Sequence, residues 1–167
     1  MFFFPISDDN ESSSRPYVCY FIIAFCSFIF LWQNTLPTNL NQEAIYNFGV
    51  VPAAVLGDQP SYLNPYLTIF TSMFMHGGWM HLLGNMVFLW IFGDNIEDSM
   101  GHKKFLAFYL ICGVFAAFLQ ALINPDSTVP MIGASGAIAG ILGAYLVLHP
   151  KANVNVLFWL FIFITVV

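Results

Sequence analysis

Ser135 stands in Gly133-Ala134-Ser135-Gly136, at the head of an apolar helix and just after the polar turn Asn124–Pro130. A serine there sits where the chain passes from water into lipid. Glycines on both sides let another backbone come close to its hydroxyl. Read chemically, it is a nucleophile. His81 and Asn85 are four residues apart on a second apolar helix, so they project from one face. An imidazole N–H and an amide are both donors suited to a developing oxyanion. The backbone N–H of Ser135, at a helix N-terminus, would add a third donor and a favourable dipole. His76, shortly before that second helix, can brace the loop by hydrogen bonding.

Each of these residues also has a structural reading. Gly133, Gly136, Gly140 and Gly143 form a small-residue face of the kind that lets membrane helices pack closely. His81 and Asn85 can serve as polar glue between helices. What favours acyl transfer is the combination, provided that the serine turn and the His/Asn face lie at one depth. A soft-metal reading competes, because Met73, Met75, His76, Met80, His81 and Met86 crowd one stretch. No cysteine joins them and the spacing does not recur on other spans. Methionine also fills membrane cores adaptably, so no metal and no cofactor is expected.

Composition supplies the setting for these residues. Of 167 residues, 59% are hydrophobic and 8% charged. A soluble domain carries roughly a quarter charged residues, so this chain belongs in a lipid bilayer. The net charge of -5 comes with no basic stripe, which excludes nucleic acid as an expected partner. Cys19, Cys26 and Cys112 all lie in apolar runs and read as small buried hydrophobes.

The chain divides into a polar stretch, residues 1–16, expected to be a flexible cytoplasmic tail, and a membrane domain over residues 17–167. An all-α polytopic bundle is expected, with four complete transmembrane helices at Tyr17–Trp32, Trp79–Phe92, Phe105–Ile123 and Ala134–Leu148. The last stops at a proline, Pro150. Between the first two spans, Ala44–Leu56 is semi-apolar and suits short helical pieces in the interface. A fifth apolar run starts near Val154 and is read as the beginning of another span. Its 14 residues would cover only ~21 Å as a helix against a hydrocarbon core of ~30 Å, so the sequence is expected to be a fragment. Arg15, Lys103, Lys104 and Lys151 flank alternate spans, which puts the N-terminus in the cytoplasm and the Gln33–Pro65 and Asn124–Pro130 loops outside. Spans two and four then both enter from outside. Ser135, His81 and Asn85 share a leaflet.

The stretch His76-Gly77-Gly78-Trp79-Met80-His81-Leu82-Leu83-Gly84-Asn85 resembles the H-x4-H-x3-N motif of the rhomboid intramembrane serine proteases, and Gly133-Ala134-Ser135-Gly136 resembles their G-x-S-G turn. The turn Gly93…Glu97…Gly101 is similar too, and the likeness runs from roughly Tyr46 onward. The resemblance implies a rhomboid-like bundle with six helices in the complete protein. Ser135 would be the nucleophile, His81, Asn85 and the Ser135 N–H the oxyanion hole, and His76, Gly133 and Gly136 its supports. Substrates would be single-span membrane proteins, cut near the outer end of a helix that is locally unwound. The family's general base is a histidine on the sixth helix, which these residues do not reach. Where that family has a tyrosine four residues after the serine in some members, this chain has Ala139. The alternative implied is an inactive rhomboid-like protein that holds membrane helices without cutting them. The short tail without an appended domain suggests a bacterial cytoplasmic membrane.

Overall fold

The computed structural model describes residues 2–10, 12–57, 59–160 and 163–166. Helix α1 covers Tyr17–Thr35 and buries Cys19, Ile22, Cys26, Phe30 and Gln33, a face that recurs every three to four residues. Its other face presents Tyr17, Phe21, Phe28 and Leu31 outward, as a lipid-facing surface does. Leu36 turns extended ahead of Pro37, which ends the helix. The long loop that follows carries α2 (Thr38–Phe48), α3 (Pro52–Val55) and α4 (Pro65–Ser72), so the short helical pieces expected between the first two spans are present.

The bundle is built around α5 (Trp79–Met100), which packs against α1, α6 (His102–Ile123) and α7 (Ser135–Leu148). Its core face holds Leu82, Met86, Leu89, Phe92 and Ile96, and Tyr109 and Ile141 close against it from α6 and α7. Helix α5 runs on past Phe92 to Met100 and stops at Gly101, whose φ of 78° suits glycine at a helix end. The buried carboxylate of Glu97 accepts the N–H groups of Val18 at 2.9 Å and Cys19 at 2.7 Å. A side chain of α5 thus satisfies the free amides at the start of α1, where negative charge is favoured. Helices occur at all four expected positions. By length and composition, α1 and α6 suffice to cross a membrane, and α7 is apolar but shorter.

Both ends of the chain depart from expectation. Phe2–Asp8 forms strand β1, which pairs antiparallel with β2 (Val154–Leu160); β2 pairs in turn with β3 (Phe163–Val166). The apolar run from Val154, read above as a fifth span, is therefore extended where it is described; its residues 161, 162 and 167 lie outside the described set. Its β-branched and aromatic residues suit a strand, and the Phe-rich N-terminus supplies a partner no local reading anticipates. Asn10, Ser13 and Ser14, expected as part of a flexible tail, are tied to α5. Ser13 and Ser14 donate their backbone N–H groups to Asp98, and Asn10 donates to Asn95.

Candidate active site

The serine is positioned by the chain that precedes it. Met131 and Val50 exchange backbone hydrogen bonds of 2.8 and 3.0 Å, which staples the approach loop to the junction of α2 and α3. Gly133 donates its N–H to the carbonyl of Ser72, at the end of α4, at 2.9 Å. Its φ is 121°, a conformation that favours glycine. Ala134 is fully buried and anchors the turn, and Ser135 follows as the exposed first residue of α7. Its hydroxyl thus sits at a helix N-terminus, beside free amides and the positive end of the dipole.

The donors come from the first turns of α5. Asn85 is buried and gives one amide hydrogen to the carbonyl of His81 at 2.9 Å, which leaves the other available. Gly77 donates its N–H to Nδ1 of His81 over a long 3.4 Å. A neutral imidazole whose Nδ1 accepts carries its proton on Nε2. That nitrogen faces the serine turn. A β-carbon added at Gly133 would lie 2.6 Å from His81 Nε2 and 3.8 Å from Asn85 Nδ2. His81, Asn85 and Ser135 line one cavity of about 340 Å³, together with Met80, Gly84 and Phe88. A second hollow, of about 220 Å³, reaches Ser135 from the side of α4 and α6, with Ser72 and Gln120 on its walls.

Packing accounts for other glycines of the motif. A β-carbon at Gly136 would stand 2.5 Å from Ala116 Cβ, and one at Gly140 2.6 Å from Cys112 Cβ. These two let α6 and α7 approach closely, as the small-residue reading expects. A β-carbon at Gly133 would instead meet His81, and Gly143 faces open space.

His76 is 1% exposed, and neither of its ring nitrogens has a hydrogen-bond partner among the described residues. Its ring meets that of His81 edge-on, with centroids 5.2 Å apart. Burial first, and the neighbouring His81 second, lower its pKa to about 4, so it is neutral at ordinary pH. Met73, Met75 and Met86 are buried and Met80 is 78% exposed, and the described residues contain no group of three or more His, Cys, Asp or Glu suited to a metal ion. His102 bonds to Glu97 and His149 to Ser99 and Asn10, at the opposite end of the bundle. From Ser135 to His149 the helix alone spans ~21 Å.

Sequence reasoning missed Gln33. It ends the buried face of α1, and its amide makes two hydrogen bonds of 3.2 Å to the backbone of His76. The available signal was an amide closing the last turn of an apolar helix, a costly place for a polar group. The reading above had assigned Gln33 to the loop.

Residues 64–167 match the family model described as the Rhomboid domain. The human protein named presenilin-associated rhomboid-like protein, mitochondrial, is 30% identical over 152 residues, covering 90% of this chain and 36% of that protein. Rhomboid protease GluP of Bacillus subtilis is 28% identical over 134 residues, covering 80% of this chain and 25% of its own length. Rhomboid-like protease 5 of Toxoplasma gondii is 41% identical over 76 residues, covering 43% of this chain and 8% of that protein. The first curated relatives are covered over 25%, 29% and 34% of their length, so the chain spans a quarter to a third of them.

Proposed function

The chain belongs to the rhomboid family of integral membrane proteins, which includes serine proteases, and from that premise we propose that the whole protein is an intramembrane serine endopeptidase. Ser135 attacks the scissile carbonyl, and the oxyanion is received by His81, Asn85 and the Ser135 N–H. The observation that carries this reading is the common cavity of Ser135, His81 and Asn85 at the N-terminus of α7. The donors there are held by the backbone before substrate arrives, which is the arrangement that stabilises developing charge most effectively. Substrates are single-span membrane proteins whose helix unwinds locally at the cut. A fully hydrogen-bonded helix would hide its peptide groups, and extended backbone exposes them.

A serine needs a base to act as a nucleophile. His102 and His149 are engaged at the far end of the bundle, and His76 is buried. The proposal therefore concerns the whole protein and not these residues in isolation. The site opens to the outer face and the N-terminus is cytoplasmic, a reading supported by the placement of Arg15, Lys103, Lys104 and Lys151. The test is cleavage of a model single-span substrate reconstituted with the full-length protein. Ser135→Ala is expected to abolish cleavage, and undiminished cleavage would overturn the assignment.

The engagement of His102 and His149 away from the serine favours a second reading, a rhomboid-like protein that binds membrane helices without cutting them. Labelling of Ser135 by a serine-directed phosphonate in the full-length protein decides between the two. A labelled serine is an activated one.

A further inference from the structure

Helix α1 contributes nothing to the cavity around Ser135, yet its last buried residue is tied to the turn that leads into α5. Gln33 is 1% exposed. Its Oε1 accepts the N–H of His76 and its Nε2 donates to the carbonyl of His76, both at 3.2 Å. A side-chain amide that pairs with both groups of one residue holds the peptide planes on either side of it.

The second of those planes matters chemically. The carbonyl of His76 and the N–H of Gly77 belong to one planar, trans peptide, so they point in opposite directions. Drawing the oxygen toward Gln33 turns the N–H away from it. That N–H is the group that meets His81 Nδ1 at 3.4 Å. The turn itself would not enforce this orientation. Gly77 is followed by Gly78, and two successive glycines leave the peptide free to rotate. Fixing it requires an outside partner, and α1 is well placed to be one. Glu97 holds the start of α1 against α5, and Gln33 joins its end to His76.

We propose that Gln33 is a positioning residue for the oxyanion hole: through the His76–Gly77 peptide it holds His81 as the Nε2–H tautomer, with that proton aimed into the Ser135 cavity. The wrong tautomer would present a lone pair to the developing oxyanion and repel it. This inference rests on the protease reading for its catalytic consequence. Its structural claim, the tautomer, can be measured without any cleavage.

The experiment uses full-length protein in lipid nanodiscs with ¹⁵N-labelled histidine. The Ser135→Ala background prevents self-cleavage, and the His81 signals are assigned by their loss in His81→Asn. With Gln33 in place, His81 is expected to be protonated on Nε2 and bare on Nδ1. Gln33→Met keeps the length of the side chain and removes both hydrogen bonds to His76, along with a 3.5 Å one to Asn41, and it should give a mixture of tautomers. Gln33→Glu keeps the acceptor for the His76 N–H and, as a carboxylate, loses the donor to the carbonyl. It should shift the tautomer in the same direction. With Ser135 restored, each variant is expected to lower kcat by about tenfold or more with KM nearly unchanged, a part of the ~10²–10³ that one oxyanion donor supplies. A role confined to stability would lower the amount of folded enzyme without moving the tautomer. Should Gln33→Met fail to fold, Gln33→Glu carries the test. An Nδ1–H tautomer with Gln33 in place, or an unchanged tautomer in a folded Gln33 variant, overturns the proposal. Neither result touches the protease reading, which stands or falls with cleavage by Ser135→Ala.

Discussion

The two ends of this bundle use the same residue types to opposite effect. At the end away from the serine, polar groups are paired with one another. Asn95 donates to Asp8, Tyr145 donates to Asp8, His149 bonds to Asn10 and Ser99, and Glu97 receives two amides of α1. At the serine end, Asn85 commits one hydrogen to the His81 carbonyl and keeps one free, His81 turns Nε2 toward the Gly133 turn, and Ser135 is exposed. A satisfied network holds helices together. Donors left without a partner, yet fixed in place, are free to act on something that arrives. The contrast predicts that substitutions at the first end cost stability and that those at the second cost catalysis.

The largest expected loss of activity short of the serine itself is at Gly133. Its φ of 121° and the 2.6 Å separation from His81 Nε2 leave no room for a β-carbon, so Gly133→Ala should lower cleavage by about three orders of magnitude or more. Gly143→Ala, where a β-carbon meets open space, is the matched control and should cleave at close to the native rate. Equal rates for the two variants would remove the close approach from the argument. Next, Asn85→Ala should reduce kcat by roughly 10²–10³ through loss of one oxyanion donor, with the folded state unchanged by circular dichroism.

At the satisfied end the readout changes. Glu97→Ala removes the acceptor for the Val18 and Cys19 amides and should destabilise the bundle by about 2–4 kcal/mol. Thermal unfolding in detergent measures it, and the protein that remains folded should keep its kcat. A catalytic defect without loss of stability would erase the distinction between the ends.

The smallest effect is a pH dependence at His76. Its pKa falls to about 4 in the fold from 6.5, so between those values the unfolded chain binds a proton that the folded chain does not. Stability therefore rises with pH across that window and is lost as the pH falls from 6.5 toward 4, by up to about 3 kcal/mol. Unfolding titrations at several pH values would reveal it, and His76→Gln should flatten the curve.

How far the sequence reaches can be seen in particular residues. Ser135 at the first position of α7 and His81 and Asn85 early in α5 were legible, because apolar runs and i, i+4 spacing are local. Gln33 was marked only as a polar group at the end of an apolar run, since its partner lies 43 residues away. The strap of Ser13 and Ser14 on Asp98, and the β1–β2 pairing, are longer-range still.

By itself, then, the sequence determined the membrane setting and the positions of α1, α5, α6 and α7. Hydropathy, helical period and charge at the helix ends act over a few residues and survive without a fold. Only the tertiary structure decided which glycine clears His81 and which ones pack helices. It also decided which histidine ring is buried without a partner among the described residues, and which amide of α1 holds the turn before α5. Those outcomes depend on groups brought together from distant parts of the chain, within a few ångströms, and no local pattern encodes such a distance.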